Sequence, residues 1–210
     1  MVFRRATLGD ASVLGEFLYL ADLSHYDTSG FAISLGGSSQ YQIETLAKLA
    51  QTEARSQFHY SHFDLATTDE GTPVASVAGF DRSQTDAQGA AALEQIGWNP
   101  DAIEDLIERI GPVGISFPPE EPGTWTIEHV ATLPAYRRQG LSRQLLERVV
   151  ARGFEQGYKH ACVDVFDGND AARALYETAG FRPSLSFGHE PLRRILNRDP
   201  LIRLMRRSPG

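Results

Sequence analysis

The sequence predicts one mixed α/β domain, built on a central sheet of about six to seven strands and flanked by helices. From residue 124 onward, strand-like and helical stretches alternate, which is typical of parallel neighbouring strands joined by helices. Before residue 83, two strand-like runs flank the turn-forming letters DEGTP, which is the pattern of an antiparallel hairpin. Parallel and antiparallel neighbours together make a mixed sheet.

The first part of the chain predicts a strand, two helices and the hairpin. VFRRAT predicts a short strand, and the apolar residues at helical spacing after Asp10, a residue type that caps helices, predict a helix. The Gly- and Ser-rich stretch SHYDTSGFAISLGGSSQ predicts a loop, and YQIETLAKLAQTEARSQ predicts a second helix. HFDLATTDEGTPVASVAGFDR then predicts the two strands of the hairpin.

Residues 83–123 interrupt the sheet pattern. DAQGAAALEQ and NPDAIEDLIERIG are helix-like, and PPEEPG is a stiff, turn-forming stretch. We interpret this segment as a helical insertion before the fourth strand, within a single domain that covers residues 1–210.

The remaining elements alternate between strand and helix. They are the strand TWTIEHVAT, a helix over 141–156, the strand HACVDVF, a helix over 170–179 and the strand LIRLM. The helix over 141–156 carries one apolar stripe, which we expect to face the sheet. The stripe consists of Leu141, Leu145, Leu146, Val149, Val150 and Phe154.

Composition argues against several classes of protein. With 210 residues, of which 41% are hydrophobic, the chain can bury one substantial core. Its formal net charge of -7 argues against general nucleic-acid binding, because phosphate backbones attract basic surfaces. Cys162 has no second cysteine for a disulfide, and the sequence shows neither a secretory signal nor an apolar run of the ~20 residues that span a bilayer. We therefore expect a cytoplasmic protein that binds neither membranes nor nucleic acid.

A basic turn precedes the helix over 141–156. RRQGLS places N–H groups without helical partners around Gly140, whose missing side chain leaves room for an anion. Residues 137–152 carry five arginines and one glutamate, and the helix dipole also favours an anion here. The alternative is that Gly140 only eases a tight turn beside solvated arginines. No Gly-x-Gly-x-x-Gly or Walker sequence is present, which argues against dinucleotide and nucleoside triphosphate binding.

Two stretches, VATLPAYRRQGLSRQLLERV and DGNDAARALYETAGFRP, together closely resemble the GNAT superfamily of acetyl-CoA-dependent N-acetyltransferases. The resemblance covers residues 124–183. Arg137, Gly140 and Ser142 match the family's Arg/Gln-x-x-Gly-x-Gly/Ala turn, although serine departs from the usual final residue. The resemblance implies a GNAT-like fold with a sheet splayed in the middle, and acetyl-CoA as cosubstrate. The segment 83–123 has no counterpart in the family's minimal pattern.

The resemblance also implies how acetyl-CoA is held. The backbone of Val130 and Thr132 would bind the pantetheine, with the Val130 N–H near the thioester oxygen, where it would stabilise the tetrahedral intermediate. Asn169 either contacts the pantetheine or caps a helix. Arg143 and Arg173 either reach phosphate groups or remain solvated. The turn would surround the pyrophosphate mainly through backbone amides of Arg137, Arg138, Gln139, Gly140, Leu141 and Ser142.

The implied reaction needs a base and an acid. Alkyl amines are protonated at neutral pH, so a general base must act on the acceptor, directly or through water. Glu128 is the candidate, since strand alternation places it on the same face as Val130, and the alternative is an exposed or paired carboxylate. The same alternation points His129 to the opposite face, which makes it the weaker candidate. Tyr176 is the candidate acid for the leaving thiolate, and the alternative is an aromatic residue packed on the sheet.

The sequence leaves the acceptor open. Net acidity favours a cationic amine, on a small molecule or a protein, and the resemblance further implies a homodimer. Cys162 lies in an apolar strand with no nearby base, so we interpret it as a packed core residue. The histidines show no metal-ligand spacing, and we expect no metal. The alternative function is a non-catalytic acyl-CoA-binding or regulatory interaction domain.

Overall fold

Seven strands of the chain form one sheet. They are β1 (Val2–Arg5), β2 (Phe63–Thr67), β3 (Pro73–Phe80), β4 (Thr124–Thr132), β5 (His160–Phe166), β6 (Arg182–Phe187) and β7 (Leu201–Arg207). A computed structural model describes residues 1–209, and in it the strand order is β1-β2-β3-β4-β5-β7-β6. Neighbours are antiparallel except β4 and β5, which are parallel. The predicted mixed sheet is confirmed.

Helices cover both faces of the sheet. They are α1 (Ala11–Leu23), α2 (Phe31–Ser34), α3 (Ser39–Leu49), α4 (Arg82–Thr85), α5 (Gly89–Gln95), α6 (Pro100–Ile115), α7 (Leu141–Glu155), α8 (Asp170–Thr178) and α9 (His189–Pro191). Residues of α7 and α8 share one buried core with β3, β4 and β5, whereas α1 and α3 share a second core with β2 and β3. The insertion before β4 is helical, as predicted, and the short α2 lies in the stretch predicted as a loop.

The apolar stripe of α7 faces the sheet, as its spacing predicts. Leu145, Leu146 and Val149 are fully buried against strand residues of the same core. Two glycines let this helix approach closely, because a side chain on Gly79 would clash with Val149 and one on Gly153 would clash with the Trp125 ring. The close fit holds the C-terminal half of α7 against β3 and the start of β4.

The end of the chain differs from the prediction. The strand predicted from LIRLM, β7, was expected to lie parallel to its neighbour, but it runs antiparallel to both β5 and β6. It lies between them because β6, which the sequence did not predict, takes the edge position. Five of the six residues of β6 are exposed, so the strand lacks the apolar alternation that marks a half-buried strand.

β4 and β5 diverge after a short paired region. Thr124–Ile127 pair with His160–Val163, but β4 continues to Thr132 and β5 to Phe166 without further pairing between them. The sheet is therefore splayed in the middle, as the resemblance implies. A cleft opens between the two strands on their carboxyl side.

A β-bulge interrupts β4 at the same level. Ala78 of β3 lies opposite Glu128 and Ser76 lies opposite Ala131, so two residues of β4 face one residue of β3. The bulge includes His129, which adopts a left-handed backbone with φ of 52°. Such an extra residue reverses the side-chain alternation beyond it.

Candidate active site

The cleft between β4 and β5 has a volume of about 650 Å³ and contains most of the predicted site. Residues 128–132 of β4 and residues 163–166 of β5 form its walls, and the N-terminal ends of α7 and α8 close it. Eleven of the thirteen predicted site residues line it, and Gln139 and Arg173 do not. The eleven are Glu128, Val130, Thr132, Arg137, Arg138, Gly140, Leu141, Ser142, Arg143, Asn169 and Tyr176.

The basic turn presents backbone N–H groups to one end of the cleft. Gly140 caps α7 with a left-handed φ of 76°, and Arg138 is also left-handed, with a φ of 61°. The first bond of the helix runs from the Gln144 N–H to the Gly140 carbonyl at 3.1 Å. The N–H groups of Leu141 and Ser142 therefore precede the helical hydrogen bonds and are free for an anion.

Side-chain bonds tie this turn to the end of β4. The Ser142 and Thr132 hydroxyls are 2.6 Å apart, and the Arg137 Nε donates to the Thr132 carbonyl at 3.2 Å. Serine at this position thus keeps the turn compact and adds a bond that glycine or alanine lacks. Gln139 instead donates from Nε2 to the Ala135 carbonyl at 3.4 Å, away from the cleft.

Asn169 and Arg173 flank the opposite side of the cleft. The Asn169 Oδ1 accepts from the Ala172 N–H at 3.1 Å, and its Nδ2 donates to the Ser24 hydroxyl at 2.7 Å. Asn169 therefore caps α8 while also lining the cleft. Arg173 pairs with Glu177 one helical turn away, at 2.9 Å, and lies outside the cleft lining.

Tyr176 lies deep in the cleft. Its side chain is only 6% exposed and packs edge-on against Phe181, with ring centroids 6.1 Å apart. Burial raises the pKa of Tyr176 well above its ordinary value, so the phenol stays protonated at neutral pH. The phenol therefore carries the proton that a general acid must supply.

The bulge in β4 corrects the faces predicted for Glu128 and His129. Ile127 and Val130, three residues apart, both pack on the core beneath α7, so Glu128 does not share a face with Val130. The His129 ring instead stacks on Phe63 of the opposite core, with centroids 5.9 Å apart. Its Nε2 lies 3.4 Å from Glu128 Oε2. The extra residue of the bulge places both side chains on one face.

A second cavity, of about 980 Å³, joins the cleft at Glu128 and His129. α6 and the segment that follows it contribute an apolar wall that includes Ile110, Val113 and Phe117. The other walls are acidic, with a single arginine, Arg82, among them. The carboxylates that line this cavity are Asp22, Asp81, Asp86, Glu120, Glu121 and Glu128.

Glu128 is held by an arginine that the sequence did not single out. The Arg82 Nη2 donates to Glu128 Oε1, and the Arg82 Nε donates to Glu120 Oε1 at 2.9 Å. Burial raises the pKa of Glu128, and the guanidinium opposes part of that rise. Burial lowers the pKa of His129 to about 4, so its ring is neutral at neutral pH. Arg82 and Glu120 reach Glu128 only through the tertiary fold, and no sequence pattern marks them.

The remaining candidates have structural surroundings. Cys162 is buried in β5, and burial raises the pKa of its thiol, which disfavours the reactive thiolate. Within residues 1–209, no group of three or more metal-ligating side chains comes together. Over the same residues, no helix combines the length and apolar character needed to cross a bilayer.

Known proteins share parts of this sequence and its fold. A [ribosomal protein bS18]-alanine N-acetyltransferase from Escherichia coli is 41% identical over 56 residues, which are 27% of this chain and 38% of that relative. An N-acetyltransferase from Staphylococcus aureus Mu50 superposes with a TM-score of 0.75 at 14% identity, over 98% of this chain and 100% of that one. A GNAT superfamily phosphinothricin acetyltransferase from Sinorhizobium meliloti, solved in complex with acetyl-CoA, superposes with a TM-score of 0.54 at 12% identity, over 98% of this chain and 87% of that one.

The chain thus spans less than half of the curated relative's length, and the two superpositions establish a common fold. The sequence pattern of the acetyltransferase (GNAT) family matches residues 37–181, which is more than half of the chain. The matched region contains both diverging strands, the basic turn, Glu128 and Tyr176. The protein belongs to the GNAT acetyltransferase family.

Proposed function

We propose that the protein is an N-acetyltransferase that moves the acetyl group of acetyl-CoA to a primary amine. The observation that carries this proposal is the meeting of two cavities at Glu128: a cleft that ends in a basic turn, and an acidic cavity. A two-substrate transfer needs separate sites for donor and acceptor that meet at the reacting atoms.

The cleft suits acetyl-CoA. The pyrophosphate would lie on the N–H groups of residues 140–142, where the dipole of α7 and nearby arginines favour negative charge. The pantetheine would lie between the diverging strands along Val130 and Thr132. The thioester would then reach the level of Glu128 and Tyr176, which both line the cleft.

The chemistry follows from two titratable side chains. Glu128 takes a proton from the acceptor ammonium, directly or through water, and the free amine attacks the thioester carbon. The Val130 N–H stabilises the resulting oxyanion. When the intermediate collapses, the C–N bond remains and the C–S bond breaks, and Tyr176 gives its proton to the departing sulfur. The former amine nitrogen loses its second proton as the amide forms, and that proton restores the Tyr176 phenol, directly or through water.

The acceptor would bind in the cavity beside the insertion. Its six carboxylates outnumber its one arginine, and His129 is neutral, so a cationic amine is favoured there. The apolar wall from α6 would contact the part of the acceptor that carries no charge. The alternative, a domain that binds acyl-CoA without catalysis, is favoured by one observation: Arg82 already pairs with the candidate base.

Release of CoA thiol from acetyl-CoA tests this proposal. Pools of polyamines, amino acids, aminoglycosides and peptides with a free N-terminus or lysine serve as acceptors, and acetyl-CoA binding is measured separately by calorimetry. We expect thiol release above the no-amine background, strongest with cationic acceptors and weakened by salt because the cavity is acidic. Tight acetyl-CoA binding without release in any pool would favour the binding domain.

Tyr176→Phe tests the role of the acid. We expect kcat to fall by roughly tenfold to a hundredfold, because the thiolate then leaves without its proton donor. Acetyl-CoA affinity and the thermal midpoint should stay unchanged, since phenylalanine keeps the buried ring and its packing against Phe181. Unchanged kcat would assign Tyr176 to packing alone.

A further inference from the structure

We infer that Arg82, fixed by Glu120, is a positioning residue that keeps the Glu128 carboxylate charged and oriented at the junction of the two cavities. This inference rests on the proposed role of Glu128 as general base. The three residues, which we call the Arg82 clasp, come from separate segments: the start of α4, the segment after α6, and β4. They therefore meet only in the folded protein.

The guanidinium of Arg82 is held from three sides. Its Nε donates to Glu120 at 2.9 Å, and its Nη2 donates to Glu128. Its central carbon lies 5.4 Å from the centroid of the Phe117 ring, within the range of a cation–π contact. The side chain is 21% exposed, so this pair is shielded from solvent more than an ordinary surface ion pair.

Glu120 is itself fixed to the strand that carries Glu128. The Thr126 hydroxyl lies 2.9 Å from Glu120 Oε1 and 2.7 Å from Oε2. Thr126 and Glu128 are two residues apart on β4 and precede the bulge, so they share a face. Glu120 thus fixes the position of the Arg82 guanidinium relative to β4. Because the guanidinium is planar and rigid, its hydrogen bond then selects one orientation of the Glu128 carboxylate.

The clasp leaves one oxygen of Glu128 for the acceptor. Arg82 binds Oε1, whereas Oε2 faces the neutral ring of His129, whose Nε2 is 3.4 Å away. Because both Glu128 and His129 line both cavities, Oε2 lies where an ammonium in the acidic cavity meets a thioester in the cleft. Oε2 is the atom that takes the proton.

Among the charged groups around Glu128, Arg82 does most to lower the pKa of its carboxyl group. Burial and the neighbouring carboxylates raise the pKa of Glu128, and Arg82 is the largest influence that lowers it. Arg203, the other cation, is already paired with Asp164 through bonds of 2.8 and 2.9 Å. The charged and titratable groups that face Glu128 are Arg82 at the start of α4, Asp86 and Glu120 of the insertion, Asp164 of β5, Arg203 of β7 and His129 of β4.

The pH dependence of Arg82→Gln tests the clasp in the intact protein. Without the guanidinium, Glu128 stays protonated to higher pH, so the acid limb of kcat/KM should move upward and kcat/KM at pH near 6 should fall by roughly tenfold. Arg82→Lys, which keeps the positive charge but loses the planar fork, should move the limb in the same direction by less. Arg194→Gln, which removes an exposed arginine paired with Glu190, is the matched control.

A second readout does not need turnover. Carbon-13 NMR titration follows the carboxyl carbon of Glu128, assigned by its loss in Glu128→Gln, in the wild-type protein and in Arg82→Gln. We expect a higher titration midpoint in the variant. An unchanged midpoint would overturn the clasp whatever the activity. A raised midpoint with an unchanged acid limb would retain the clasp as a structural feature and overturn Glu128 as the base, and with it that part of the proposed function.

Arg82→Lys guards against misfolding of the main variant. Circular dichroism and the thermal midpoint identify folded samples. If Arg82→Gln does not fold, a raised Glu128 midpoint in Arg82→Lys supports the clasp, and an unchanged midpoint there contradicts it.

Discussion

Glu128→Gln is expected to lower kcat/KM by roughly 10²- to 10⁴-fold at neutral pH, the range that a general base contributes. Glutamine has nearly the same shape and can still accept from the Arg82 Nη2, which also keeps its bond to Glu120. The variant therefore removes the proton acceptor while leaving the surrounding contacts in place. Steady-state kinetics from pH 5 to 10 would also show that the acid limb assigned to this carboxylate disappears.

The thermal stability of Glu128→Gln is the control that separates loss of the general base from structural damage. Burial raises the folded pKa of Glu128 above the ordinary value of 4.5, so folding favours the protonated form. The resulting contribution to stability is present below the unfolded pKa and is lost as pH rises through the folded pKa. At neutral pH the ionised carboxylate therefore costs stability, and the uncharged glutamine should keep or raise the thermal midpoint. A lowered midpoint together with lost activity would instead indicate structural damage.

Gly140→Glu is expected to weaken acetyl-CoA binding by roughly 10²- to 10³-fold. The new carboxylate would stand at the N-terminal end of α7, where the pyrophosphate is proposed to lie, and two negative charges about 4 Å apart repel by several kcal/mol at a protein surface. The left-handed φ of 76° adds a strain of about 1 to 2 kcal/mol for any side chain. Calorimetric titration with acetyl-CoA measures the loss.

Two variants separate charge from strain in this test. A Cβ at position 140 would meet only the Gln144 Nε2 at 3.9 Å, so Gly140→Ala carries the backbone strain without a clash and should bind acetyl-CoA far better than the glutamate variant. Gly157→Glu places the same charge at another left-handed glycine, with φ of 93°, beyond the opposite end of α7. It should leave affinity unchanged. Equal affinity of Gly140→Glu and wild type would remove the turn from the site.

Local patterns predicted the elements that pack the core. The apolar stripe of α7 and the hairpin of β2 and β3 followed from side-chain periodicity, because that periodicity reports which face is buried. β6 was not predicted, because its residues are mostly exposed at the sheet edge and so lack apolar alternation. The position of β7 between β5 and β6 was also not predictable, because strand order depends on contacts between distant segments.

In the candidate site, too, local sequence order predicted some residues, whereas features that depend on tertiary structure were missed. The RRQGLS turn and Tyr176 were found because their residue types occur in a recognisable local order. The faces of Glu128 and His129 were wrong because a bulge adds one residue to a strand without a local mark in the sequence. Arg82 was missed because 46 residues of chain separate it from Glu128, and the antiparallel pairing of β3 with β4 brings the two together.

The interior position of β7 has a consequence for how the protein forms during synthesis. β7 comes after the other six strands in the chain, yet it supplies the antiparallel partner of β5 and, within residues 1–209, the only strand that pairs with β6. While residues 201–207 remain inside the ribosome, one side of β5 stays unpaired and β6 lacks its strand partner. The wall of the cleft that β5 provides is therefore completed only after these residues emerge.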